Sequence, residues 1–398
     1  MINWDGRYAS RAGRMVASEI RELLKLVDQP DIISFAGGIP DPALFPTEAI
    51  AAAHGRILGD PRRAAVALQY TVSEGYEQLR QWLASYMAGL GIACTVDNIL
   101  ITSGSQQALD LIAKLFVAAG DTVLVAYPTY LGALQAMSAY EPEFAALPRR
   151  GDDIATPSGG RRRALAYVMP DFQNPTGTSL SLAEREDLLA AIPGLPLIED
   201  AAYEALRYDG AAPPSLMALD AARDGVDGGR VLYCGTFSKT GVPGLRLGWI
   251  VAPKPVIRRL VLAKQASDLH SPSMSQMVMH EVAQEVLPAH LAPIRAAYRR
   301  RRDTMLAALA AEMPAGVAWT RPEGGMFLWL TLPEGMDGAA LLARAIAEAR
   351  VAFVPGRAFY ADGTGANTLR LNFSRADETR IGEGMARLGR LLRTSLAA

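Results

Sequence analysis

Between Asn98 and Pro253 the chain alternates short β-rich apolar runs with longer helical patterns, and this alternation restricts the possible folds more than any other feature. The runs are Asn98 to Thr102 (NILIT), Thr122 to Ala126 (TVLVA), Ala164 to Met169 (ALAYVM), Leu195 to Ile198 (LPLI), Val231 to Cys234 (VLYC) and Leu247 to Val251 (LGWIV). None alternates strictly with polar residues, so each predicts a strand covered on both faces. A mostly parallel, helix-flanked sheet follows, which makes this part an α/β domain. After Pro255 the pattern turns helical, with an apolar stripe at Ile381, Met385, Leu388 and Leu392. Within that part Gly325 to Thr331 and Leu369 to Phe373 read as strands, so a smaller α+β unit is expected past Ser273. The division is an N-terminal arm over 1–45 attached to the small domain, a large domain over 46–275 and a small C-terminal domain over 276–398.

Composition narrows the functional classes. Lys and Arg total 40 against 41 Asp and Glu, and 50% of the residues are hydrophobic, which excludes global disorder and a polybasic nucleic-acid surface. Any anionic ligand must be gripped locally. The two cysteines, Cys94 and Cys234, are far apart, and the four histidines show no metal-ligand spacing, so no metal site is expected. A reduced, cytoplasmic protein is the expectation. The first residues lack an apolar signal region, and no run reaches about 18 apolar residues, so neither a signal peptide nor a membrane span is predicted. The short basic runs Arg161 to Arg163 and Arg299 to Arg302 read as solvated faces.

Several segments carry residue types suited to chemistry. Lys239 follows a buried run, is flanked by Thr236 and Ser238, and has Arg246 seven residues beyond it. A desolvated lysine can lose its proton and form a Schiff base, while hydroxyls and an arginine suit a phosphate. Taken singly, Lys239 could equally be a surface-loop lysine. Asp200 ends the run LIED, where open α/β sheets place ligands; it suits either a pyridinium N–H or a helix N-cap. The turn Thr102-Ser103-Gly104-Ser105-Gln106 opens a helix whose free N–H groups can cradle an anion. It is neither GxGxxG nor a Walker A loop, which disfavours dinucleotides and nucleoside triphosphates. Asn174-Pro175-Thr176-Gly177 is a turn signal whose amide could also reach a ligand hydroxyl. Tyr130 is either a core aromatic or a ring that stacks on a flat cofactor. Arg370 interrupts an apolar strand and therefore needs a buried anionic partner, for which a substrate carboxylate is a good explanation.

Together these segments resemble the class I/II aminotransferases of pyridoxal-phosphate fold type I, and within them the α-aminoadipate and kynurenine aminotransferase branch. The resemblance rests on Ser18 to Leu24 (SEIRELL), Ser34 to Pro46 (SFAGGIPDPALFP), Gln69 to Gly75 (QYTVSEG), Ser103 to Asp110 (SGSQQALD), Phe172 to Gly177 (FQNPTG), Arg321 to Phe327 (RPEGGMF) and Asn367 to Asn372 (NTLRLN). It covers nearly the whole chain in the family's order. It implies that Lys239 binds pyridoxal 5′-phosphate covalently and that Asp200 faces the pyridine nitrogen. Tyr203 and Asn174 would meet the ring hydroxyl and Tyr130 would stack on the ring. Ser105, Gln106, Thr236, Ser238 and Arg246 would hold the phosphate, joined by Tyr70 from the second subunit of a homodimer. Arg370, Asn174 and Gly38 would bind the substrate, and Arg21 would meet the distal carboxylate of acidic substrates. Two positions depart from the family's pattern: Ala201 stands where a second acid is frequent, and Thr236 where serine is frequent.

The activity implied is transfer of an amino group between an L-amino acid and a 2-oxo acid. The expected pair is glutamate and 2-oxoglutarate, exchanging with 2-aminoadipate or with an aromatic or branched aliphatic amino acid. A pyridoxal-phosphate β-lyase would use the same Lys239 and Asp200 and is the alternative. An aminotransferase-like transcription regulator fits poorly, because only about thirty residues precede the SFAGG segment, too few for a winged helix.

Overall fold

The structure, a computed structural model, describes residues 2–15, 29, 31–148, 151 and 161–397. Arg21 lies outside them. Seven strands form the main sheet in the order Ile99–Thr102, Gly248–Val251, Val231–Thr236, Leu197–Asp200, Arg163–Val168, Thr122–Val125, Glu143–Ala146. Gly248–Val251 runs antiparallel to both of its neighbours, and the remaining pairs are parallel.

All six expected runs are strands of this sheet, and the reason they lack polar alternation is visible in the packing. Leu100, Val123, Leu165, Ile198 and Leu232 enter one apolar cluster, while their neighbours Ile99, Leu124, Ala166, Leu197 and Val231 enter another on the opposite face. Helices Ser105–Phe116, Leu131–Ser138 and Lys254–Gln265 cover the first face, and Glu77–Gly89, Leu216–Gly228 and Ser273–Glu285 are among those covering the second. The seventh strand, Glu143–Ala146, went unseen in the sequence. It is an edge strand with half-exposed side chains and a leading glutamate, so it carries no continuous apolar signal.

The C-terminal part holds a four-stranded antiparallel sheet in the order Val354–Pro355, Thr368–Asn372, Phe327–Thr331, Ala318–Trp319. Its long helices Leu287–Glu312 and Glu378–Ala397 pack on each other, with Ile381, Met385, Leu388 and Leu392 buried. Ile33–Ser34 pairs in parallel with Val351–Ala352, which brings the segment Phe35 to Ile39 across the small sheet and up to Arg370.

One expectation is corrected here. Arg299 to Arg302 is not a solvated face, because consecutive helical residues point in different directions. Arg299 and Arg300 are exposed, whereas Arg301 pairs with Asp41 at 2.6 Å and Arg302 with Asp209 at 2.5 Å, tying the long helix to the N-terminal segment and to the chain that follows Leu197–Asp200.

Candidate active site

The carboxyl ends of the main-sheet strands open toward the small sheet, and the chemical residues converge there. Leu197–Asp200 ends on Asp200, which is 1% exposed. Its Oδ2 accepts the Tyr167 hydroxyl at 2.9 Å and its Oδ1 accepts the Ala202 N–H at 3.3 Å. Burial pushes the carboxyl up to about 6, while the Tyr167 and Ala202 hydrogen bonds and the Lys239 charge pull the other way. No α-helix starts at Asp200, since only a turn and the short 3₁₀ segment Glu204–Leu206 follow. Its neighbour Glu199 instead serves a helix start, that of Leu216–Gly228, where Ser215 is the cap and the Glu199 carboxyl oxygens accept the Leu216 and Met217 N–H groups at 2.9 and 2.8 Å. Strand periodicity turns the two acids to opposite faces, one toward the cleft and one toward a helix start.

Lys239 stands in the turn after Val231–Thr236. Its Nζ donates to the Gly38 carbonyl at 3.0 Å and lies 5.7 Å from the centre of the Tyr203 ring. Burial and the Arg370 charge bring its ammonium down to about 8, against an opposing pull from Asp200. A lysine so placed gives up its proton far more readily than an exposed one and, in its neutral fraction, can act as a nucleophile or a base.

Arg370 comes from the middle of Thr368–Asn372 and is 2% exposed. Nη1 donates to Asn174 Oδ1 and Nη2 to the Ala36 carbonyl, both at 2.8 Å. The guanidinium lies 4.4 Å from the Phe327 ring centre and 5.0 Å from that of Phe359. No carboxylate acts on it among the described residues, and its Nε is buried without a hydrogen-bond partner. Burial draws it down to about 10, with Tyr203 and Tyr130 acting against that. A side chain on Gly38 would press on Phe327 at 3.2 Å, so glycine there keeps the space beside Arg370 open.

Tyr203 is buried and meets Phe327 edge-on at 5.6 Å, with Asn174 in hydrogen-bond reach of its hydroxyl. Its phenol is raised, chiefly by burial. Tyr130 precedes Leu131–Ser138 and is close enough to act electrostatically on Tyr203, Tyr167 and Arg370.

At the far end of the cleft, helix Ser105–Phe116 starts from Gly104 with no side-chain cap, leaving the Ser105 and Gln106 amides at its positive end. Gly104 has φ +88°, and a Cβ on it would sit 2.6 Å from Arg246 Nη2, so glycine lets the arginine lie over the turn. Arg246 donates to the Ser103 carbonyl at 3.2 Å. The Thr236 hydroxyl is turned inward, within 3.1 Å of the Leu247 carbonyl, and accepts the Ser238 N–H at 3.1 Å. Gln106 reaches the Gly132 carbonyl with its side chain. Tyr70 is far out on the surface, 78% exposed, and meets His270 edge-on at 5.8 Å. Sequence reasoning missed Tyr167, Phe327 and Phe359, which surround Asp200 and Arg370 but look like ordinary core aromatics.

An uncapped helix start with an arginine above it, a neutralisable lysine, a buried carboxylate and a tyrosine-lined slot suit a flat, phosphorylated aldehyde cofactor. The donor set therefore defines a pyridoxal-phosphate enzyme. The family described as aminotransferase class I and II matches residues 30–388, and the chain belongs to that family. It is 44% identical to the 2-aminoadipate transaminase of Thermus thermophilus, covering 100% of this chain and 99% of that one. It is 41% identical to aromatic-amino-acid aminotransferase 1 of Thermococcus litoralis, over 99% of this chain and 96% of that protein. The crystal structure of the α-aminoadipate aminotransferase of Thermus thermophilus with N-(5′-phosphopyridoxyl)-L-leucine superposes with a TM-score of 0.89 at 42% identity, covering 100% of both chains. The protein is a pyridoxal-phosphate-dependent aminotransferase that acts on an amino acid and a 2-oxo acid, and none of these relatives is a β-lyase. Among the described residues no helix is long and apolar enough to cross a membrane, and no cluster of ligand side chains could hold a metal ion.

Proposed function

We propose that Lys239 carries the cofactor, that Asp200 meets the pyridine nitrogen, that Tyr203 and Asn174 meet the ring hydroxyl, and that Tyr130 lies against the ring. Ser105, Gln106, Thr236, Ser238 and Arg246 hold the phosphate, and the Thr236 hydroxyl also orients Ser238. The observation that carries this reading is Arg370, a buried guanidinium with no carboxylate partner among the described residues, in the same cleft as Lys239. Such a charge is costly unless an anion joins it, and a substrate α-carboxylate supplies one.

When bound, pyridoxal phosphate supplies the electron sink for the pair left by the departing Cα proton. Arg370 fixes the α-carboxylate and so decides which Cα bond faces Lys239. The Lys239 amine would accept that proton from Cα and deliver it to the cofactor carbon C4′, across the intervening nitrogen. Asp200, ionised above about 6, keeps a proton on its ring partner, and Tyr167 favours the ionised form. With uptake of one water the first amino acid leaves as a 2-oxo acid, and a second 2-oxo acid takes up the amino group, with release of water, by the same steps reversed.

Glutamate and 2-oxoglutarate form one substrate pair, and 2-aminoadipate, aromatic or branched aliphatic amino acids the other; the names of the relatives support this range. Arg21, placed by sequence alone, pairs with the distal carboxylate of the acidic members. A screen of amino acids for loss of the cofactor's visible absorbance tests the range. Arg21→Gln should weaken glutamate and 2-aminoadipate by about ten- to a hundredfold, the worth of one charge-assisted hydrogen bond, and spare leucine and phenylalanine. Equal losses for both groups would remove Arg21 from the substrate site.

The reading also takes 1–45 as an arm, 46–275 as the cofactor domain and 276–398 as the small domain. Exposed Val66, Leu68, Tyr70, Val72, Leu262 and Leu269 support a homodimer in which the partner's Tyr70 completes the phosphate site. Cys94 and Cys234 are both free thiols, which suits a cytoplasmic location.

A further inference from the structure

Behind the phosphate cup lies a buried lysine that the reaction does not use. Lys264, near the end of Lys254–Gln265, has a side chain with no solvent exposure. Its Nζ donates to Gln107 Oε1 at 2.8 Å, to Asp268 Oδ1 and Oδ2 at 2.9 and 3.0 Å, and to Ser271 Oγ at 3.1 Å. Those same partners hold Ser103. Gln107 Oε1 accepts the Ser103 N–H at 2.8 Å, and Asp268 Oδ2 accepts the Ser103 hydroxyl at 3.0 Å. Gln107 Nε2 also donates to Asp268 at 2.7 Å. The remaining polar group of Ser103, its carbonyl, receives Arg246 Nη2 at 3.2 Å. Every hydrogen-bonding group of Ser103 is thus spoken for, and the residue links the strand Ile99–Thr102 to Gly104, Ser105 and the uncapped helix start.

We propose that Lys264 is a positioning residue for the phosphate cup. It neutralises Asp268 and, through Gln107 and Asp268, fixes Ser103 and with it the Arg246 guanidinium and the Ser105 and Gln106 amides. Two physical effects follow from its removal. The Gln107 and Ser271 acceptors lose a charged donor, so Ser103 is held less firmly. The Asp268 carboxylate is left uncompensated on a turn that must receive a dianion, which adds repulsion specific to phosphate. The inference rests on the reading of the cup as the phosphate site.

The test separates phosphate binding from general fold. The full-length protein is loaded with pyridoxal phosphate, converted by an amino donor to the amine form, stripped by dialysis, and titrated with pyridoxal phosphate or with pyridoxal, which lacks the phosphate. Lys264→Met should lose at least tenfold in affinity for pyridoxal phosphate and less than twofold for pyridoxal. Adding Asp268→Asn to Lys264→Met should recover part of the loss, because the stranded charge is gone. Equal losses for the two ligands, or none, would overturn the proposal. Arg246→Gln separates the levels: if it keeps the preference for the phosphorylated ligand, the cup itself is misassigned; if it loses the preference while Lys264→Met keeps it, only Lys264 is. Should Lys264→Met fail to fold, Lys264→Gln, which keeps a donor amide but strands the Asp268 charge, must still lower the phosphate preference, and an unchanged preference would overturn the proposal.

Discussion

Arg370 Nη1 donates to Asn174 Oδ1 at 2.8 Å, and the same Asn174 side chain lies in hydrogen-bond reach of the Tyr203 hydroxyl. One amide, 4% exposed, therefore joins the guanidinium to the phenol. In the site we propose, that single side chain would link the position of the substrate carboxylate to that of the cofactor ring.

Replacing Arg370 with Gln should raise KM for every amino acid and 2-oxo acid and lower kcat/KM by about a hundredfold or more, the worth of one to two charge-assisted hydrogen bonds. Arg370→Lys should recover little, because a point charge cannot reproduce the two-pronged guanidinium. Steady-state kinetics with three unlike amino donors checks this; a loss confined to one donor would contradict a common carboxylate site.

The acid side of the pH profile should follow Asp200. Its carboxyl, held up at about 6 by burial, is ionised above that pH and neutral below it, so turnover should fall as pH drops through about 6. Tyr167 lowers it by hydrogen bonding to the charged form, so Tyr167→Phe should move the fall to higher pH. A profile of log kcat/KM against pH for both proteins measures the shift, and an unmoved acid limb would detach Tyr167 from Asp200.

Uptake of the cofactor should follow Lys239 on the alkaline side. Only the neutral amine attacks an aldehyde, and burial together with Arg370 holds this lysine down at about 8. The rate of reconstitution should therefore rise with pH and level off above about 8. Arg370→Gln removes one of the depressing charges, so the same curve should move to higher pH.

Much of the fold was legible because strands buried on both faces leave continuous apolar runs, and all six were read. Glu143–Ala146 escaped because an edge strand needs no such run. The site was legible where a residue type is out of place for its surroundings, as with Arg370 inside an apolar strand. It was illegible where the partner is distant in sequence and bland in type. Tyr167 is 33 residues from Asp200, and Lys264 meets Gln107 across 157 residues; nothing local marks either contact. Arg301 and Arg302 were misread for a related reason, since a run of like charges on a helix says nothing of which members face Asp41 and Asp209.

Tyr70, exposed in the single chain, should act on a neighbouring copy. Mixing Tyr70→Phe chains with Lys239→Ala chains should yield hybrid dimers with one complete site, and activity above that of either parent. Sedimentation that finds a fully active monomer would contradict this arrangement.

The central claim is that Lys239 bears the pyridoxal phosphate. Borohydride reduction of the loaded enzyme, followed by peptide mass spectrometry, should place the phosphopyridoxyl group on Lys239, and Lys239→Ala should show neither the adduct nor measurable turnover. An adduct on another lysine in the unaltered enzyme, or a Lys239→Ala protein that still traps the cofactor and turns over, would contradict it.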